Sequence, residues 1–101
     1  MQMLVRVAKG QLLLQPSQPL PDPELLLPFF KNYLQNMPQL SQLQAEQGLD
    51  WLQIRFYFCN AVFALHYEHY SDSCWVEADN AAGAVLLSDL ASLLQSNSAL
   101  S

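Results

Sequence analysis

The stretch Asp50–Asp79, DWLQIRFYFCNAVFALHYEHYSDSCWVEAD, decides the fold. It contains both Trp, both His and both Cys of the chain. Apolar and polar residues alternate along it, and two short polar breaks divide it into three pieces, the pattern of an antiparallel meander. In the first piece Leu52, Ile54, Phe56 and Phe58 share one face, while Gln53, Arg55 and Tyr57 share the other. Cys59-Asn60 reads as a tight turn, without the Gly that marks the strongest hairpins. In the second piece Phe63, Leu65 and Tyr67 oppose His66, Glu68 and Tyr70. Ser71-Asp72-Ser73 forms the second turn, after which Cys74, Val76 and Ala78 alternate with Trp75 and Glu77.

Working outward, Met3–Ala8 has β-branched residues and partial alternation and reads as a first strand. Lys9-Gly10 is a turn signal, and Gln11–Gln15 returns as a short second strand. Four Pro between Pro16 and Pro23 exclude a central strand or a helix interior, so 16–23 is an extended connection. Asp22-Pro23-Glu24 resembles a helix start. Pro28 leaves two readings: an interrupted first turn, or a main helix that begins at Pro28. Leu26, Phe29, Phe30, Tyr33, Leu34 and Met37 recur at helical spacing, and Pro38 ends or kinks that helix.

The segment Gln39–Gln47 is rich in helix formers, with Leu40 and Leu43 on one side and Gly48 as a C-terminal stop, and is expected to be helical. After Asp79-Asn80, either of which is a suitable cap, Leu86, Leu90, Leu93 and Leu94 fall on one helical face. Val85, Leu87 and Ala91 broaden that stripe, and Gly83 weakens the first turn. The tail 96–101 is expected to fray. A sheet with one apolar face needs a cover, which two helices supply. The expected fold is a single α+β domain over 1–101, a two-layer sandwich in the order β-(β)-α-β-β-β-α, with an antiparallel meander covered on one face.

At 101 residues the chain can bury one core. Charged residues are only 13%, against about 25% in typical soluble domains. A surface so weakly charged is poorly protected against association, which points to cover by another subunit or partner. Net charge is −5, and the only basic residues are Arg6, Lys9, Lys31 and Arg55. That excludes the cationic clusters needed to bind nucleic acid or an anionic membrane. The start of the chain, MQMLVRVAKGQLLL, has neither the charged leader nor the long apolar core of a secretion signal, so a cytoplasmic protein with two free thiols is expected. The three Gly stand apart at 10, 48 and 83, which gives no phosphate-cradling loop, and no cofactor is expected.

Four constellations carry possible chemistry. His66 and Glu68 share a strand face, and Glu77 on the next strand offers a third metal ligand, but a solvated face with cross-strand pairs such as Arg55–Glu68 accounts for the same residues. Cys74 lies near His66 and His69 in sequence, yet its alternation puts it on the core face, where Cys is usually inert. Glu68 and Glu77 offer a carboxylate pair, while Asp72 and Asp79 are explained as turn and cap residues. Trp51, Tyr57, Tyr70 and Trp75 are either interface anchors or closures of the core.

In layout, and most distinctively in HYEHYSDSCWVEAD (His66–Asp79), the chain resembles short bacterial proteins of unknown function. The resemblance spans most of the chain and carries over no activity or site residues. The expectation is therefore a protein that acts by association, as a homodimer or with another protein. Arg55, Tyr57, His66, Glu68, Tyr70, Trp75 and Glu77 would form the contact face. The alternative is a ligand- or metal-binding protein or enzyme built on His66, Glu68 and Cys74.

Overall fold

A computed structural model describes residues 3–98. Strands β1 (Met3–Ala8) and β2 (Gln11–Pro16) form the first hairpin. Its two turn residues, Lys9 and Gly10, have φ of 42° and 81°, the doubly left-handed geometry that matches strand twist in two-residue hairpins. The Pro-rich segment leads to helix α1 (Pro23–Gln35), with Pro23 at its start and Glu24 in its first turn. Of the two readings left open at Pro28, neither describes the result. One helix runs through Pro28, which is exposed, so only one backbone bond is forgone. Leu26, Phe30, Leu34 and the following Met37 are buried, with Phe29 and Tyr33 packed at the margin.

The expected helix over 39–47 is instead strand β3 (Leu40–Gln47), paired antiparallel with β4 (Trp51–Phe58). The reason lies in a bulge. The register shifts between Ser41 and Gln44, and Gln42 adopts φ 52°. One extra residue lets Leu40 and Leu43, three apart, both face inward, which mimics helical spacing. Beyond the bulge, Leu43 and Ala45 pack inward while Gln44 and Glu46 are exposed. Pairing with β4 outweighs the modest helix propensity of Gln, Ala and Glu.

Strands β4, β5 (Ala61–Glu68) and β6 (Ser73–Ala78) form the expected meander. The sheet as a whole is not a simple meander. Its six strands, all antiparallel, run in the order β1-β2-β6-β5-β4-β3. The first hairpin docks on the free side of the last strand, with Leu12 opposite Val76 and Leu14 opposite Cys74. A hydrophobic pattern fixes which face of β2 is buried but not which strand it joins.

The final helical stripe is broken in two. Helix α2 (Ala81–Ala84) is capped by Asn80, whose Oδ1 accepts the Gly83 amide at 3.1 Å. It lies on β5 and β6. Val85, expected in the apolar stripe, is 81% exposed at the break. Helix α3 (Leu87–Ser98) then buries Leu87, Leu90 and Leu94 over β1 and β2. The tail expected to fray at 96–101 is helical as far as Ser98, and 99–101 lie outside the described residues. Gly83 is buried because α2 sits close to the sheet: a Cβ there would stand 3.1 Å from the Cβ of Ala78. The Tyr33 hydroxyl donates to the Leu94 carbonyl at 2.9 Å and ties α1 to α3. No described helix is long and apolar enough to cross a membrane.

Candidate functional site

All the described helices lie on one side, so among the described residues the other face of the sheet is left open. Its side chains follow from alternation in each strand: Leu52, Ile54, Phe56 and Phe58 are buried, so Gln53, Arg55 and Tyr57 point away from the core. On β5 the outward set is Val62, Ala64, His66 and Glu68, and on β6 it is Trp75 and Glu77. Pairing registers place His66 between Gln53 and Trp75, and Ala64 between Arg55 and Glu77.

The centre of this face is a small organised cluster. The His66 and Trp75 rings stack with centroids 5.2 Å apart and planes 19° from parallel. The Trp75 indole N–H donates to Glu77 Oε1 at 2.7 Å, and the same oxygen lies 3.6 Å from His66 Nε2. Partial burial lowers the His66 pKa below its usual 6.5, and the neighbouring Glu77 carboxylate opposes that shift. A shallow depression of ≈ 300 Å³ runs alongside, lined by Trp51, Gln53, His66, Glu68 and Trp75 among others.

Several expected pairings do not form. Arg55 lies opposite Ala64, and Glu68 opposite Trp51, four residues along the strand and so about 13 Å away. Arg55 instead reaches Asp79, at 3.4 Å between half-exposed side chains. Glu68 and Glu77 are offset in the same way, opposite Ser73 and Ala64, so they make no carboxylate pair. Among the described residues no group of three His, Cys, Asp or Glu side chains is placed to hold a metal ion. Tyr70, expected beside His66 and Glu68, is 85% exposed in the β5–β6 turn, because β5 ends at Glu68.

Cys74 is buried on the core face, opposite in direction to His66. Burial pushes its thiol far up, which leaves no thiolate for nucleophilic chemistry. Cys59 is exposed in the β4–β5 turn. Tyr67 is buried on the core side, and its hydroxyl donates to Asp72 Oδ1 at 2.8 Å. Leu13 belongs to the open face, opposite Trp75, and was missed in the sequence because β2 gives no signal of joining β6.

The chain belongs to the family described as protein of unknown function (DUF3630), whose model matches residues 9–95, from the first turn to the last full turn of α3. This agrees with the likeness to uncharacterised proteins noted in its sequence. No curated protein and no solved structure matches the chain.

Proposed function

We propose that the protein acts by association through the open face of its sheet, with a second copy of itself as the partner. The observation that carries this reading is a six-stranded face with no helix on it among the described residues and an aromatic centre at His66 and Trp75. Trp and Tyr are the usual anchors of protein contacts, and Tyr57 and Trp51 stand exposed nearby. The sheet edges suit association less well. The Val5 amide of edge strand β1 is taken by the Gln95 side chain at 3.1 Å, and edge strand β3 is bulged at Gln42. Both devices discourage strand addition. A cytoplasmic setting goes with this reading, since Cys59 and Cys74 are unbridged, one in a turn and one in the core.

The test is native mass spectrometry and sedimentation of the untagged chain, repeated for Trp75→Ala, with thermal melts alongside. A wild-type dimer that Trp75→Ala weakens far more than it lowers the melting temperature supports the reading. A monomer at every concentration overturns it. A monomer carrying an organic or metal adduct assigns the depression between Trp51 and Trp75 to a ligand instead.

A further inference from the structure

Six outward residues form one row across the open face, one from each strand: Arg6, Leu13, Trp75, His66, Gln53 and Glu46. Arg6 is opposite Leu13, Leu13 opposite Trp75, Trp75 opposite His66, His66 opposite Gln53, and Gln53 opposite Glu46. The row therefore begins with a cation on one edge strand and ends with an anion on the other. Both are exposed, and neither has an ion-pair partner among the described residues. Between them lie a Leu, the stacked Trp75–His66 pair and one amide.

We infer that two copies pack open face to open face about a two-fold axis that runs parallel to the strands and passes between β5 and β6. This rests on the association reading above and adds its geometry. Such an axis reverses the order of the row. Arg6 of each copy then meets Glu46 of the other, at both ends of the interface. Trp75 meets His66 of the second copy, and Leu13 meets Gln53. In the next row Gln11, Glu77, Ala64 and Arg55 follow one another across β2, β6, β5 and β4. The same axis sets Arg55 of the second copy over Gln11, one strand from Glu77. Opposite charges therefore meet at both ends of the first row, and in the second row Arg55 of one copy comes within one strand spacing of Glu77 of the other.

The other face-to-face axis, lying along the row, places each strand on its own copy. It sets Arg6 against Arg6 and Glu46 against Glu46, which like-charge repulsion disfavours. Strands that stay nearly parallel between facing sheets are the usual aligned packing of β-sandwiches, about 10 Å apart. Six strands roughly 4.8 Å apart and six to eight residues long present a face roughly 25 Å square. With side-chain relief this approaches the about 800 Å² per partner of a standard interface.

Charge reversal tests it. Arg6→Glu and Glu46→Arg each convert both end contacts to like-charge pairs and should raise the dimer dissociation constant about tenfold or more at low salt. The double variant Arg6→Glu/Glu46→Arg restores the pairs and should return the constant close to wild type. A one-to-one mixture of the two single variants should form a heterodimer, since every contact is then between opposite charges. Both positions are exposed, so melting temperatures measured at concentrations where every variant is monomeric should stay near wild type. Single reversals without effect, or a double variant that does not recover, overturn this arrangement. If Trp75→Ala still dissociates the dimer in that case, the association reading stands and only the axis is wrong. A wild-type chain that never dimerises overturns both.

Discussion

His66 and Trp75 stack across β5 and β6 at 5.2 Å, and Glu77 Oε1 is shared between the Trp75 indole at 2.7 Å and the imidazole at 3.6 Å. The ring that would serve as a contact surface is thus also a titratable group.

The direction of its effect follows from burial. The folded-state pKa of His66 lies below the unfolded 6.5, because desolvation outweighs the attraction of Glu77. In that window the unfolded chain binds more protons, so stability rises with pH. The contribution is complete above 6.5 and is lost as pH falls through the folded pKa. The difference in stability between wild type and His66→Gln should therefore shrink on acidification below 6.5. A proton NMR titration that places His66 above 6.5 contradicts this.

Tyr67 gives the opposite sign at high pH. Burial, helped by the hydrogen bond to Asp72, pushes its phenol up to about 12 from 10.0. The folded state holds the proton longer, so its contribution is intact below pH 10 and is lost as pH rises through about 12. Tyr33, whose hydroxyl serves the Leu94 carbonyl, is raised as well and adds to the same loss. Tyr67→Phe should cost about 1 kcal/mol at neutral pH, the value of one hydrogen bond. It should also flatten part of the alkaline loss of stability expected in urea unfolding between pH 10 and about 12. An unchanged alkaline limb means the phenol is not protected.

Gly83→Ala weighs two effects. Helix propensity alone would favour Ala by about 1 kcal/mol. The new methyl, however, would stand 3.1 Å from the Ala78 Cβ and 3.4 Å from the Phe63 ring. Ala78 is fixed to a strand and has no rotamer to change, so the helix must lift off the sheet. Overpacking of this kind costs about 1–3 kcal/mol, and a net loss of roughly 1 kcal/mol by chemical denaturation is expected. A gain in stability would show that α2 floats freely on the sheet.

The limits of reading this fold from sequence are physical. The strands β4, β5 and β6 were legible because alternation with one face buried fixes side-chain direction, and the outward set Arg55, Tyr57, His66, Glu68, Trp75 and Glu77 follows from it. Strand β3 was hidden by its bulge, which put Leu40 and Leu43 at a helical spacing. The break at Val85 was hidden because a stripe of Leu reads the same whether or not the helix pauses. Pairing of β2 with β6 joins residues sixty or more positions apart, Leu14 and Cys74 among them, and leaves no local trace. That pairing brings Leu13 and Arg6 onto the open face, so the self-complementary row became visible only in three dimensions.

The β4–β5 turn carries a correctable strain. Cys59 and Asn60 both have left-handed backbones, with φ of 51° and 65°. Asn tolerates this conformation, whereas a residue such as Cys pays roughly 1–2 kcal/mol for it. Cys59→Gly removes that cost but gives the unfolded chain more freedom to lose. The net effect should be a gain of up to about 1 kcal/mol in urea unfolding. The same variant separates the two thiols. In the native wild type a thiol reagent should label Cys59 rapidly, and Cys74, buried and held neutral, only on unfolding. Native Cys59→Gly should therefore show almost no fast labelling. A fast-reacting thiol in that variant would mean that Cys74 opens to solvent, and with it the junction of β2 and β6 on which the open face depends.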